Sequence, residues 1–125
     1  MIQGIGTDII AVKRIQNAFE RNPAFGDKVF TPAEIAYCQS RAHPYQSFAA
    51  RFAAKEAVMK ACGTGWNADL TWQNIEVVST ENGAPSIRTY HQTAAYLEIH
   101  GIHRIHLSLS HDGEYATAFV VLERN

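Results

Sequence analysis

Cysteine is scarce in this chain: Cys38 and Cys62 are the only two, and they do not form a Cys-x-x-Cys pair. Isolated thiols argue against a disulfide framework and suit a reducing compartment, so a soluble cytoplasmic protein is expected. The start, Met1-Ile2-Gln3-Gly4-Ile5-Gly6, has no basic leader region or cleavage-type segment, and no apolar run reaches the roughly 18 residues a membrane span requires. An excess of one charge is also missing. The net charge of −1 argues against a general nucleic-acid or membrane coat. Hydrophobic residues make up 46% and charged ones 18%, which excludes disorder and low complexity. Repeats, linkers and a second composition are absent too, so residues 1–125 read as one domain. A chain of this size buries roughly two thirds of its unfolded surface, leaving little for a deep private pocket.

What is present centres on Arg51-Phe52-Ala53-Ala54-Lys55-Glu56-Ala57-Val58-Met59-Lys60, within a run from Tyr45 to Cys62 that has neither Gly nor Pro. At helical spacing Phe48, Phe52, Met59 and Cys62 share a stripe, with Val58 at its margin, predicting an amphipathic helix. Ala49, Ala50, Ala53, Ala54, Ala57 and Ala61 occupy most of the other side, a smooth face that lets another backbone approach closely. Glu56 and Lys60 stand one turn apart at the edge between the two faces. This spacing admits two readings, a solvated helix pair or a charged site beside a buried face. Lys55 projects from within the apolar stripe, where an ammonium must snorkel out or find an anion.

Residues 2–10 alternate as a strand, placing Ile5, Thr7 and Ile9 on one face and Ile2, Gly4, Gly6 and Asp8 on the other. Glycines in a strand mark close approach, which leaves the Asp8 carboxylate room to meet a ligand or another element. The alternative is that Asp8 caps the following helix. That helix, from Ala11 to about Arg21, buries Val12, Ile15 and Phe19 and exposes Lys13, Arg14 and Arg21. Thr31-Pro32-Ala33-Glu34 signals an N-cap and a first-turn proline, opening a helix to about Ser40. Gly63-Thr64-Gly65 ends the central helix, and a Gly-x-Gly fits helix termination as well as it fits phosphate binding.

Beyond Trp66 the pattern turns to β: residues 74–80 and 85–89 form a hairpin around Asn82-Gly83. A helix follows over 90–100, then a closing hairpin of 104–110 and 115–122 around Asp112-Gly113. In that hairpin Ile105, Leu107 and Leu109 oppose His106, Ser108 and Ser110, giving a sheet with one covered face. No two histidines have zinc-like spacing on a shared face, so His91, His100, His103 and His106 read as incidental.

Five signals thus occur in order: Gly6-Thr7-Asp8 with Arg14-Ile15, Phe30-Thr31 with Glu34, Phe52-Ala53-Ala54-Lys55-Glu56-Ala57 with Lys60, Gly63-Thr64-Gly65, and Ser108-Leu109-Ser110-His111. Together they resemble the holo-[acyl-carrier-protein] synthase family, the short form of the 4′-phosphopantetheinyl transferases. The resemblance spans most of the chain. It implies an α+β fold, an antiparallel sheet packed with a long central helix, assembled as a homotrimer with coenzyme A in clefts between subunits. It also implies Mg²⁺ on Asp8 and Glu56, and a catalytic role for Lys60 beside them. Coenzyme A contacts are implied at Lys60, Gly63, Thr64, Gly65, Pro85 and His111, and carrier docking at Arg14 and Arg21. The implied reaction moves 4′-phosphopantetheine from coenzyme A to a serine of an apo-acyl carrier protein. Two other classes use the same features differently: another metal-dependent phosphodiester enzyme built on Asp8 and Glu56, and a non-catalytic trimeric binding module that needs neither metal nor Asp8.

Overall fold

The protein was described as a computed structural model covering residues 1–64, 69–80 and 82–125. Its elements run β1 (Ile2–Ala11), α1 (Val12–Arg21), α2 (Phe25–Val29), α3 (Pro32–Gln39), α4 (Pro44–Ala61), a single 3₁₀ turn (Trp72–Asn74), β2 (Ile75–Ser79), β3 (Pro85–Thr89), α5 (His91–Ile99), β4 (Ile102–Asp112) and β5 (Tyr115–Arg124). Two antiparallel sheets result, one of order β1-β5-β4 and one formed by β2 and β3. Within the first, Asp8 pairs with Ala118 and Ala118 with Leu109, so β1 and β4 are its two edges. The expected α+β architecture is the one found.

Helix α4 lies across the three-stranded sheet, and the glycines of β1 set how closely. A Cβ on Gly4 would stand 2.1 Å from the Ala61 carbonyl oxygen, and one on Gly6 would stand 2.0 Å from that of Ala57. The alanine face is therefore the contact surface for β1 and β5, with Ala53, Ala54 and Ala57 fully buried. The opposite face is also covered. Phe48 packs on Phe19 at 4.7 Å and on Phe30 at 4.9 Å between ring centroids, and Phe52 packs on Trp72 at 6.1 Å. An amphipathic helix was expected, but α4 is sandwiched: its two faces differ in side-chain size, not in polarity.

Three other local differences have plain causes. Phe25–Val29 forms the short helix α2, which a five-residue segment containing Gly26 does not announce by periodicity. Gly26 is required there because a Cβ would meet the Phe19 ring at 2.8 Å. The β2–β3 connection is longer than a two-residue turn: Gly83 takes φ +85°, while Asn82 contributes through its side chain, whose Oδ1 accepts from Ala84 N at 3.2 Å. Trp66 and Gly65 lie outside the described residues. Elsewhere the reading holds. The Thr31 cap is a full capping box, and Gly113, at φ +56°, turns the β4–β5 hairpin.

Candidate active site

Asp8 leaves β1 on its helix-facing side two residues beyond Gly6, where the close approach to α4 brings it under Lys60. Lys60 Nζ donates to Asp8 Oδ1 at 2.9 Å and to the Thr7 carbonyl at 3.1 Å. The capping alternative for Asp8 falls, because α1 begins after Ala11 with no side-chain cap. The solvated-pair reading of Glu56 and Lys60 falls too, since the ion pair Lys60 makes runs across to the strand. Glu56 stands one turn earlier on the same edge. Burial pushes its carboxyl above the ordinary value and the Asp8 charge adds to that push, against the nearby Trp72 indole N–H and the charge of Lys60.

Two carboxylates placed to repel one another across a half-buried edge are what a hard divalent cation would relieve. Among the described residues no group of three or more potential ligands gathers. A metal here would thus draw on Asp8 and Glu56 and complete its shell from water and substrate, which is the habit of Mg²⁺. The donor set fits the ion.

What holds this edge in place is a buried network whose partners are remote in sequence. Lys55 is fully buried, and its Nζ donates to Glu34 Oε1 at 2.7 Å, to the Trp72 carbonyl at 2.8 Å and to the Ile75 carbonyl at 2.5 Å. The anion that Lys55 needed is Glu34, which also accepts from Thr31 N at 2.9 Å and Val77 N at 2.8 Å. Glu76 continues the network, accepting from Thr31 Oγ1 at 2.6 Å and from the Tyr90 hydroxyl at 2.7 Å. Helix α3, the 3₁₀ turn and β2 are all tied to the residue next to Glu56, which fixes the rotation of α4.

Pro85 and His111 lie elsewhere. They line a cleft of about 330 Å³ with Tyr37, Arg41, His43, Ser79 and Arg51. Arg51 is 4% exposed, donates to Ser79 Oγ at 2.9 Å, and among the described residues has no hydrogen-bond partner at Nε. Sequence reasoning missed Arg51 and Arg41; their only signal was cationic residues before and within the central helix. This cleft opens at the β4 edge of the sheet and Asp8 at the β1 edge, with β5 between them. Along α4, Arg51 and Lys60 are separated by about 14 Å of helix rise. One chain therefore does not bring the two sets together.

Gly63 terminates α4 at φ +79°, its N–H donating to the Lys60 carbonyl at 2.9 Å, and Thr64 follows with N–H to the Met59 carbonyl at 3.4 Å. Both are exposed just past Lys60, and Gly65 lies outside the described residues. Arg14 and Arg21 are exposed on α1 with Lys13. His106 pairs with Glu123 at 2.8 Å on the outer sheet face.

A sequence profile described as "4'-phosphopantetheinyl transferase superfamily" matches residues 4–120. The chain is 46% identical to the holo-[acyl-carrier-protein] synthase of Koribacter versatilis, over 98% of this chain and 99% of that protein. Among solved structures, the holo-[acyl-carrier-protein] synthase of Neisseria meningitidis superposes with a TM-score of 0.93 at 38% identity, covering 99% of this chain and all (100%) of that one. That of Bacillus anthracis in complex with coenzyme A (3′,5′-ADP) superposes with a TM-score of 0.84 at 35% identity, covering 100% of this chain and 99% of that one. By fold and by sequence along nearly its whole length, this chain belongs to the 4′-phosphopantetheinyl transferase superfamily, in its holo-[acyl-carrier-protein] synthase family.

Proposed function

We propose that the chain transfers 4′-phosphopantetheine from coenzyme A to a serine hydroxyl of an apo-acyl carrier protein, releasing adenosine 3′,5′-bisphosphate, with Mg²⁺ held by Asp8 and Glu56. The observation that carries the reading is the meeting of Asp8 and Lys60 at 2.9 Å beside a Glu56 whose ionised form is disfavoured. Its setting is a chain whose relatives are named for this activity, one of them solved with coenzyme A.

In the transfer, serine Oγ forms a bond to the pantetheine-linked phosphorus while the bond from that phosphorus to the leaving nucleotide oxygen breaks, and the serine proton passes to a basic group at the site or to water. No protein nucleophile is needed, so the chain supplies positioning and charge. Mg²⁺, held by Asp8 and Glu56, would supply neutralisation of charge on the phosphate oxygens. Lys60, with a half-exposed side chain held only at its tip, is free to turn its ammonium from Asp8 to those oxygens. The guanidiniums of the second cleft, Arg41 and Arg51, suit the phosphorylated nucleotide end of coenzyme A, with the His111 imidazole as a further hydrogen-bonding group and Pro85 as an apolar wall. Gly63 and Thr64, just past Lys60, complete the contacts assigned to the ligand together with Gly65, which lies outside the described residues.

Since the two sets occupy opposite edges, they act on one coenzyme A when each comes from a different copy. The outer sheet face supplies the surface for that assembly: Ile5, Ile9 and Phe119 are 70%, 63% and 58% exposed on adjacent strands. A homotrimer closes such a head-to-tail contact. The acidic carrier docks on the basic side of α1 through Arg14 and Arg21. No helix among the described residues is long and apolar enough to cross a membrane, and both cysteines are free thiols, in keeping with a cytoplasmic site of action.

The test is release of adenosine 3′,5′-bisphosphate from coenzyme A. The reading requires release that depends on both apo-carrier and Mg²⁺. Nucleotide hydrolysis that proceeds without carrier would assign the site to a different phosphodiester chemistry.

A further inference from the structure

The second cleft contains a residue to which nothing above gives a role. Tyr37, on α3, has two guanidiniums against its ring: Arg51 Cζ is 4.0 Å from its ring centroid and Arg41 Cζ is 5.5 Å away. Arg51 is buried, and among the described residues no carboxylate pairs with it. A guanidinium in that state is costly unless something else takes up its charge. The ring face takes up part of it, and Ser79 fixes one end of the fork at 2.9 Å, while Nε has no hydrogen-bond partner among the described residues.

We infer that Tyr37 is a positioning residue for coenzyme A: its ring holds Arg51 and Arg41 in the cleft as a preformed two-guanidinium receptor for a phosphate of the substrate. This rests on the reading that the Pro85–His111 cleft takes the phosphorylated end of coenzyme A. Without the platform, each long side chain must be ordered at the moment of binding, and two like charges must be brought together at that cost. With it, the arrangement exists beforehand. The environment of the phenol agrees: a hydrogen bond involving Ser79 lowers its pKa, burial opposes this, and the charges of Arg41 and Arg51 lower it further. The ring and the buried Arg51 are one packed unit on the cleft wall, with the exposed Arg41 guanidinium at its rim.

The platform acts on ligand affinity and not on the transfer step, because the reacting groups sit at the other edge of the sheet. The experiment is calorimetric binding of coenzyme A alone together with steady-state kinetics for the parent, Tyr37→Leu, Tyr37→Phe and Arg51→Gln proteins. Tyr37→Leu is expected to weaken coenzyme A binding on the order of tenfold, the scale of a desolvated cation–π contact. Its KM for coenzyme A rises in parallel, whereas kcat and the KM for the carrier stay within about twofold. Tyr37→Phe keeps the ring face and recovers most of the lost affinity. If Arg51→Gln weakens binding and Tyr37→Leu does not, the platform is overturned and the cleft reading stands. If neither affects binding, the cleft reading itself falls. A uniform loss in both KM values and kcat that Tyr37→Phe fails to reverse overturns the inference in favour of a merely structural ring.

Discussion

Glu56 carries a charge that its surroundings resist, and this has a consequence for stability apart from catalysis. Its folded pKa lies above the ordinary 4.5, first because of burial and next because of Asp8. For a carboxyl raised in this way the folded state favours the protonated form. The contribution is favourable below the unfolded pKa and is lost as pH rises through the folded value. Glu56→Gln should therefore melt higher than the metal-free parent at neutral pH, and the difference should vanish below about pH 4.5. Added Mg²⁺ should raise the melting temperature of the parent but not of Glu56→Gln, and a scan of both proteins with and without the ion reads this directly. An equal Mg²⁺ shift in both would take the metal away from Glu56.

The two lysines of the central motif separate by the same reasoning. Lys60→Ala removes a half-exposed ammonium, so kcat should fall by orders of magnitude with little change in melting temperature. Lys55→Met leaves Glu34 buried without its cation and should cost about 3–5 kcal/mol, measured by denaturant unfolding. If Lys60→Ala instead unfolds the protein and spares kcat, the roles are exchanged. Residue patterning left Asp8, Glu56 and Lys60 as separate candidates that only the family resemblance joined, whereas the need of Lys55 for an anion could be read from its position on the apolar stripe. That the anion is Glu34 could not, because the two residues meet only once α3 is laid against α4. Tyr37 and Arg51 were hidden for the same reason.

At the scale of elements, β1 and α1 each carry a separable claim. Gly6 lets β1 lie against α4 closely enough for Asp8 to reach Lys60. Gly6→Ala puts a methyl 2.0 Å from the Ala57 carbonyl oxygen, and backbone cannot yield as a side-chain tip does. The variant should lose about 1–3 kcal/mol, the range of an overpacked core, and should lose more activity than its folded fraction explains. Unaltered unfolding and turnover would mean that the close approach is not needed. For α1, Arg14→Glu should lower kcat/KM for the carrier and flatten its salt dependence, leaving coenzyme A binding near that of the parent. Carrier kinetics at several ionic strengths check this, and parental behaviour would leave the basic face as solvated charge. Strand and helix periods were legible here because one side of β1 and of α1 faces solvent. The environment of α4 was so only in part. Its alanine side was legible as a surface that a backbone could approach closely, as the β1 glycines do, but that the helix is covered on both faces only the placement of the sheet and of α1 to α3 reveals.

At the scale of the whole molecule, one chain places Asp8, Glu56 and Lys60 at the β1 edge and Arg51, Pro85 and His111 at the β4 edge, and these two groups are the halves of the proposed site. The homotrimer came from the resemblance; residue patterning implied only that a chain this small has little room for a deep pocket of its own. The most direct measurement is complementation between copies. Glu56→Gln, which lacks one half-site, and Arg51→Gln, which weakens the other, are co-expressed and assayed at coenzyme A concentrations well below the KM of Arg51→Gln. Transfer is read as the mass gain of intact apo-carrier. If neighbouring copies share each site, random mixing restores intact half-site pairs at about a quarter of the interfaces, and transfer rises to about that fraction of the parental rate. Transfer no greater than the sum of the two variants assayed separately would contradict a site built between copies.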